Sequence, residues 1–182
     1  EITDELLNGI DALVISGAFK PVTKSETMAI MRFLEGGGKL SVMLHIGPPV
    51  ADLLHTLDVS ISNGVLHETG NLVLKNDIDF KIRDLKVHEL TTDLKEFNIY
   101  GGWALLPTKE HTYAIAQTSE NAWIDLNGDK LADAQQKFAT VVVGTIGKGA
   151  FVVFSDDAIF QNNFLVGHNY SLGENLVRWL AN

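Results

Sequence analysis

The apolar positions of this chain follow two periods, and the changes between them divide it into three stretches. Ile10 to Ser16 is a short apolar run that stops at Gly17, the pattern of a strand buried on both faces of a parallel sheet. A helix follows: Thr23 and Glu26 have the spacing of a capping box just after Pro21, and Ile30, Met31 and Leu34 share one stripe. Gly36, Gly37 and Gly38 end it, because glycine enters the left-handed region that a helix exit uses. Lys39 to Ile46 reads as a second buried strand. Gly47, Pro48 and Pro49 then lead into a short helix over 50–57, whose start tolerates proline.

From Ser60 to Trp123 the period shortens to two. Asn63-Gly64 and Gly70-Asn71 carry hairpin turn chemistry, Phe80, Ile82, Leu85 and Val87 predict one strand interrupted by a bulge, and Tyr100-Gly101-Gly102-Trp103 marks a tight bend. Ala139 to Phe154 is the clearest hairpin, two Val-rich arms joined by Gly147-Lys148-Gly149. The last helix is expected to start at Ser171, boxed with Glu174, and to bury Leu172, Leu176, Trp179 and Leu180. Strand and helix alternate at first, a hairpin-rich insert follows, and a strand-helix pair closes the chain. That order predicts an α/β three-layer sandwich with a mainly parallel central sheet and a C-terminal antiparallel hairpin. No internal repeat or linker interrupts it, so residues 1–182 read as a single domain.

Composition narrows the function classes. The 182 residues include 46% hydrophobic and 20% charged residues, an apolar share too large for disorder. A chain of this length buries roughly 70% of its unfolded surface without a disulfide or metal staple. There is no cysteine, which excludes thiolate catalysis, a cysteine zinc site and an iron–sulfur cluster, and is compatible with either an extracytoplasmic or a cytoplasmic location. The net charge of −9 argues against nucleic-acid or anionic-membrane binding, which needs clustered cations, and Lys75, Lys81, Arg83 and Lys86 alternate with Asp77, Asp79 and Asp84. No apolar run is long enough to insert in a membrane.

The order IDALVISG, KSETMAIMRFLEGGGKLSVML, VHEL, YGGWALLP, GKGAFVVFSDDAIFQNN and HNYSLGENLVRWL resembles the glutamine amidotransferase-like superfamily of flavodoxin-like folds. It is most similar to a prokaryotic branch of non-catalytic domains related to the amidotransferase-like domain of an intraflagellar transport protein. Two departures from the superfamily pattern stand out. Its members begin with a strand and helix placed before the equivalent of Ile2, and that first strand is missing here. The resemblance therefore implies a longer native chain, or an oligomer or separate segment that supplies a strand beside Ala12 to Ser16. The chain starts at Glu1 rather than methionine, in keeping with that expectation. The second departure is catalytic: the superfamily places a nucleophilic cysteine at a sharp turn after a strand, and the matching turn, Leu44-His45-Ile46-Gly47, has none.

In open α/β sheets ligands bind beyond the carboxyl ends of the strands, which collects Gly17, Ala18, Phe19, His45, Gly47, Asp156 and Asp157 at one edge, with Asn162 close behind. His45 is a candidate proton carrier beside a helix start whose free amides favour anions. Asp156 and Asp157 follow the last core strand, and paired carboxylates there can bind a cation, accept sugar hydroxyls or act as acid and base. Each also has a plain structural reading, as a turn histidine or a loop cap. His88 opens a segment matched by the resemblance and is the second histidine candidate. Asn163, His168 and Asn169 are further pocket candidates, whereas His55, His67 and His111 read as surface or hairpin residues.

Asp125, Asn127, Asp129 and Asp133 place oxygens at positions 1, 3, 5 and 9 of a turn, as at the start of a calcium loop. Lys130 stands where such a loop needs glycine and Gln136 where it needs glutamate, so the expectation is a surface Ca2+ site and no EF-hand. The function these features predict is a non-catalytic binding or scaffold domain taking a small molecule or a protein at the carboxyl edge of its sheet. The alternative is a hydrolase or carbohydrate-active enzyme using the Asp156/Asp157 pair with His45 or His88.

Overall fold

The computed structural model describes residues 1–73 and 75–182. After a short helix α1 (Asp4–Leu7), strand β1 (Ala12–Ser16) leads into α2 (Lys24–Glu35) and β2 (Lys39–Met43). Thr23 and Glu26 form the capping box their spacing predicts: the Glu26 amide donates to Thr23 Oγ1 at 3.3 Å and the Thr23 amide to Glu26 Oε2 at 2.8 Å. A turn of 3-10 helix (Pro48–Val50) precedes α3 (Ala51–Thr56). The insert contributes β3 (Val59–His67), β4 (Asp79–Ile82), β5 (Asp84–Leu85), β6 (Phe97–Tyr100), β7 (Trp103–Pro107), β8 (Thr112–Gln117), β9 (Trp123–Ile124) and β10 (Ala134–Gln135). The hairpin β11 (Ala139–Ile146) and β12 (Gly149–Phe154) follows, then α4 (His168–Ala181).

Ten strands join in one sheet, whose main path runs β1-β2-β12-β11-β7-β3-β9-β10, while β8 pairs with β11 and β5 with β8. Among the described residues only β1, β2 and β12 are parallel neighbours. All other pairings are antiparallel, so the mainly parallel sheet expected from the sequence is corrected to a mostly antiparallel one. The tight β11–β12 hairpin accounts for one antiparallel pairing, whereas β3 with β7, β7 with β11 and β8 with β11 join strands far apart in the chain. A separate two-stranded sheet pairs β4 with β6.

Both faces of the large sheet are covered, which is why its central strands are continuous apolar runs. Leu40, Val42, Phe151 and Val153 pack with Ile30 and Leu34 of α2 and with Leu53 and Leu54 of α3. Met43, Val152 and Phe154 point the other way, toward Leu172, Leu176 and Trp179 of α4 and toward Phe80, Ile82, Phe97 and Ile99 of the small sheet. The β11–β12 turn lies against the end of α2. A Cβ on Gly149 would stand 2.3 Å from the carbonyl oxygens of Gly38 and Leu34, so only glycine fits that approach.

Three further expectations are corrected. Asn63-Gly64 is no turn but lies within β3, and a Cβ at Gly64 would meet the Asp125 carbonyl at 2.4 Å, so this glycine serves a close backbone approach. The strand expected through Phe80 to Val87 breaks at Arg83 into β4 and β5, which belong to different sheets, and Val87 is fully exposed. Helix α4 starts at His168 after Gly167, one turn earlier than Ser171, with no side-chain cap.

Candidate functional site

The three parallel strands end together, and backbone hydrogen bonds extend their register one step into the loops. The Gly17 amide donates to Met43 O at 3.2 Å, the Leu44 amide to Phe154 O at 3.1 Å and the Asp157 amide to Leu44 O at 2.7 Å. Gly17 to Phe19, His45 and Asp156-Asp157 therefore share one edge of the sheet. The start of β7 closes its far side, where the Trp103 amide donates to Ser155 O at 3.0 Å and the Trp103 indole Nε1 to His45 O at 3.3 Å.

Within this edge His45 Nδ1 lies 3.1 Å from Asp157 Oδ1. An ionised carboxylate only accepts, so Nδ1 carries the proton and Nε2 is the free ring atom. The imidazole is 45% exposed and the carboxylate 12%. The Phe19 ring sits 5.1 Å from the imidazole, tilted by 55°, and is 70% exposed. Gly17 adopts φ +60°, and a Cβ there would stand 2.9 Å from Asp157 Oδ2. Gly17→Ala is therefore expected to displace the Asp157 carboxylate and to cost about 1 to 2 kcal/mol from the left-handed backbone and the crowding. A chemical melt reads the cost, and the His45 ring resonances in NMR should shift with it. Unchanged resonances would mean that Gly17 does not seat Asp157.

Asp156 takes the opposite direction. It is 3% exposed, with Oδ2 accepting from the Tyr100 amide at 2.7 Å and Oδ1 from the Ala158 amide at 2.8 Å. Burial pushes its carboxyl up to about 7 from the ordinary 3.8, and the Asp157 charge adds to this, against the two amides and His45. The consecutive aspartates thus divide their work. Asp157 orients His45 at the surface, and Asp156 ties β6 and the turn at Ala158 to the end of β12.

Several candidates lie elsewhere or serve the backbone. His88 stands in the β5–β6 connection, where its Nδ1 accepts from the Leu90 amide at 3.1 Å and caps a 3-10 turn. Asn162 is exposed beyond the Ala158–Phe160 turn, and among the described residues no hydrogen bond joins it to His45 or Asp157. Asn169 is buried and clamps β6: its Oδ1 accepts from the Asn98 amide at 2.7 Å and its Nδ2 donates to Asn98 O at 3.2 Å. Gly47 makes room for Ile61, since a Cβ there would lie 2.5 Å from Ile61 Cδ1. The anion cradle expected beside His45 does not form, because Pro48 and Pro49 have no amide hydrogen and the Val50 amide donates to Gly47 O at 3.3 Å.

The acidic loop closes on itself. Asp125 accepts from the amides of Asn127, Gly128 and Lys130, Asp129 from Leu131, and Asp133 from Leu126. The Lys130 amide foremost holds the Asp125 carboxyl below its ordinary range. Among the described residues no three His, Asp or Glu side chains gather as a metal site.

Ser155, which the strand-end rule also places at this edge, meets the Gly101-Gly102 bend there. Ser155 Oγ is buried without a hydrogen-bond partner among the described residues, and a Cβ at Gly102 would stand 2.9 Å from it. The tight bend read from Gly101-Gly102 has this cause: Gly101 turns the chain with φ +84°, and Gly102 admits the backbone against Ser155.

No family model matches the chain, and no curated protein matches it in sequence. Solved structures do match its fold. The mmIFT52 N-terminal domain superposes with a TM-score of 0.79 at 18% identity, covering 100% of this chain and 82% of that one. The cytoplasmic protein STM1381 from Salmonella typhimurium LT2 gives 0.65 at 19% identity, over 99% and 76% of the two chains. A thua-like protein from Bacteroides uniformis ATCC 8492 gives 0.62 at 14% identity, over 98% and 72%. At these identities the likeness is one of fold alone. No helix is long and apolar enough to cross a membrane among the described residues.

Proposed function

We propose that this chain is a non-catalytic binding module that takes a protein partner at the carboxyl edge of its parallel strands. Phe19 is the apolar anchor, and the outward Nε2 of His45 is the hydrogen-bonding group beside it. The observation that carries this reading is the division between the two aspartates. Asp156 is buried and both its oxygens are bonded to backbone amides, so among the described residues the edge offers the His45–Asp157 pair. That pair has no cysteine to activate, and the nearby Ser155 hydroxyl is buried beneath Gly102. An exposed aromatic ring next to an oriented polar group is the composition of an interface anchor.

A second reading, a hydrolase, is favoured by one observation: Asp156 is pushed to about 7, where an acid–base residue is useful. The two readings separate on a small panel of glutamine, p-nitrophenyl acetate and p-nitrophenyl β-galactoside. The module predicts rates equal to those without protein, for wild type and His45→Ala alike. Turnover abolished by both His45→Ala and Asp157→Asn would overturn it. A photo-crosslinking phenylalanine analogue at position 19 tests the module itself. One crosslinked protein, competed away by unmodified chain but not by the His45→Ala variant, is the expected result.

A further inference from the structure

β1 ends the large sheet, and among the described residues it pairs with β2 alone. The Lys39 amide donates to Asp11 O at 2.9 Å and the Gly17 amide to Met43 O at 3.2 Å. In a parallel ladder so registered, odd-numbered residues bond to β2, and the N–H and C=O groups of Ala12, Val14 and Ser16 point away from it. Val14 is 47% exposed, on the α4 face of the sheet. From it an apolar groove of about 550 Å³ runs along α4, lined by Met43, Phe160, Leu165, Tyr170 and Val177, the last 66% exposed. An open edge strand beside an apolar groove is a feature that folded proteins ordinarily cover.

We propose that a second copy of this chain covers it, through antiparallel pairing of the two β1 strands about a two-fold axis at Val14. The edge is complementary to itself. With Val14 opposite its copy, Ala12 stands opposite Ser16 and Ser16 opposite Ala12, so every outward N–H and C=O of the three residues meets a partner. The two-fold axis is perpendicular to the sheet, which brings both α4 helices to the same face, antiparallel to each other. The groove lining then joins its copy into one apolar layer.

Charge favours a second copy over an unrelated strand. The polar rim of the groove is one acid and one base, Glu174 and Arg178, whose side chains lie 4.0 Å apart along α4. Antiparallel α4 helices set Glu174 of each copy toward Arg178 of the other. The rim is thus neutral and self-complementary in a chain that carries −9 overall. A purely acidic or purely basic rim would instead repel its own copy.

Native mass spectrometry and light scattering of the whole chain test this at about 1 to 100 µM, since assembly follows mass action. The expected mass at the upper end is twice 19.9 kDa. Val14→Pro removes an outward N–H and Val177→Glu places a charge in the apolar layer, and each is expected to return the monomer mass. Circular dichroism of both variants keeps a folding defect distinct from a lost interface. Glu174→Arg and Arg178→Glu should each dissociate the pair, and the double exchange should restore it. A wild-type chain that stays monomeric over the whole range overturns the proposal. So does a dimer that survives Val14→Pro and Val177→Glu, and so does a singly exchanged rim that leaves the dimer intact. Failure of the binding-module reading leaves these outcomes unaffected, because the β1 edge shares neither His45 nor Phe19.

Discussion

Asp156→Ala is expected to lower the unfolding free energy by about 3 kcal/mol, the cost of leaving buried amides without their acceptor. The substitution strands the Tyr100 and Ala158 N–H groups, which bond to the two oxygens of that carboxylate, and does so where three segments meet. Asp156→Asn keeps one acceptor but turns an NH2 donor toward the other amide, so it should fall between wild type and alanine. Equilibrium urea unfolding measures all three. A loss below about 1 kcal/mol for alanine would mean that water reaches the two amides, removing this residue from its structural role.

The same residue makes stability depend on pH. Its carboxyl ionises near 3.8 in the unfolded chain and near 7 in the folded one, so between those values the folded chain holds a proton that the unfolded chain has released. This contribution is fully present below pH 3.8 and is lost as pH rises through 7. At about 1.4 kcal/mol per pH unit the interval corresponds to roughly 4 kcal/mol. His88 works in the opposite direction. Burial holds its half-buried imidazole below 6.5, against the pull of Glu89, so its contribution is present above 6.5 and lost as pH falls through the lower folded value. Unfolding curves of wild type and Asp156→Asn from pH 5 to 8 separate the two. The downward slope from pH 5 to about 7, which levels off above 7, should vanish in the variant, and the upward slope from His88 should remain.

Phe154→Ala is expected to cost about 4 kcal/mol, in the range for deleting a fully buried aromatic ring. For a chain of this size that corresponds to a fall in Tm of roughly 10 °C. Phe154 is the last residue of β12, registered with Met43 of β2 on one side and Val141 of β11 on the other. Its ring meets Phe160 edge-on at 4.9 Å, and its carbonyl accepts the Leu44 amide. The cavity therefore opens directly beneath Ser155, Asp156 and Asp157. Phe19→Ala is the control, because an exposed ring should change stability by no more than about 0.5 kcal/mol. Equal effects of the two substitutions in a thermal melt would contradict this placement of the core.

The candidate edge was legible in the sequence because it depends on where apolar runs stop. Ile10 to Ser16, Lys39 to Ile46 and the second arm of Ala139 to Phe154 each end in residues incompatible with a buried strand: Gly17, Gly47-Pro48 and Ser155-Asp156-Asp157. What those residues do was less legible. Adjacent residues beyond a strand end point in different directions, so Asp156 and Asp157 look equivalent in one dimension and have opposite environments in three. Asn169 and His88 likewise became backbone clamps, since a polar side chain needs only a nearby unpaired amide or carbonyl to be taken up.

By itself the sequence determined the local elements and their punctuation: the Thr23 box, the glycine exit of α2, the β11–β12 hairpin, the apolar stripe of α4 and the absence of a thiol nucleophile. These depend on residues within about one helical turn or one hairpin of each other, where period and turn chemistry act directly. Only the tertiary structure decided the sign of the strand pairings, the transfer of the chain between sheets at Arg83, the role of Gly64 and the inward path of Asp156. Each of those depends on which distant backbone arrives alongside: Asp125 at Gly64, Tyr100 at Asp156, Thr112 to Gln117 at β11. Side-chain period records which face of a strand is buried, but not which strand, nor in which direction, comes to bury it.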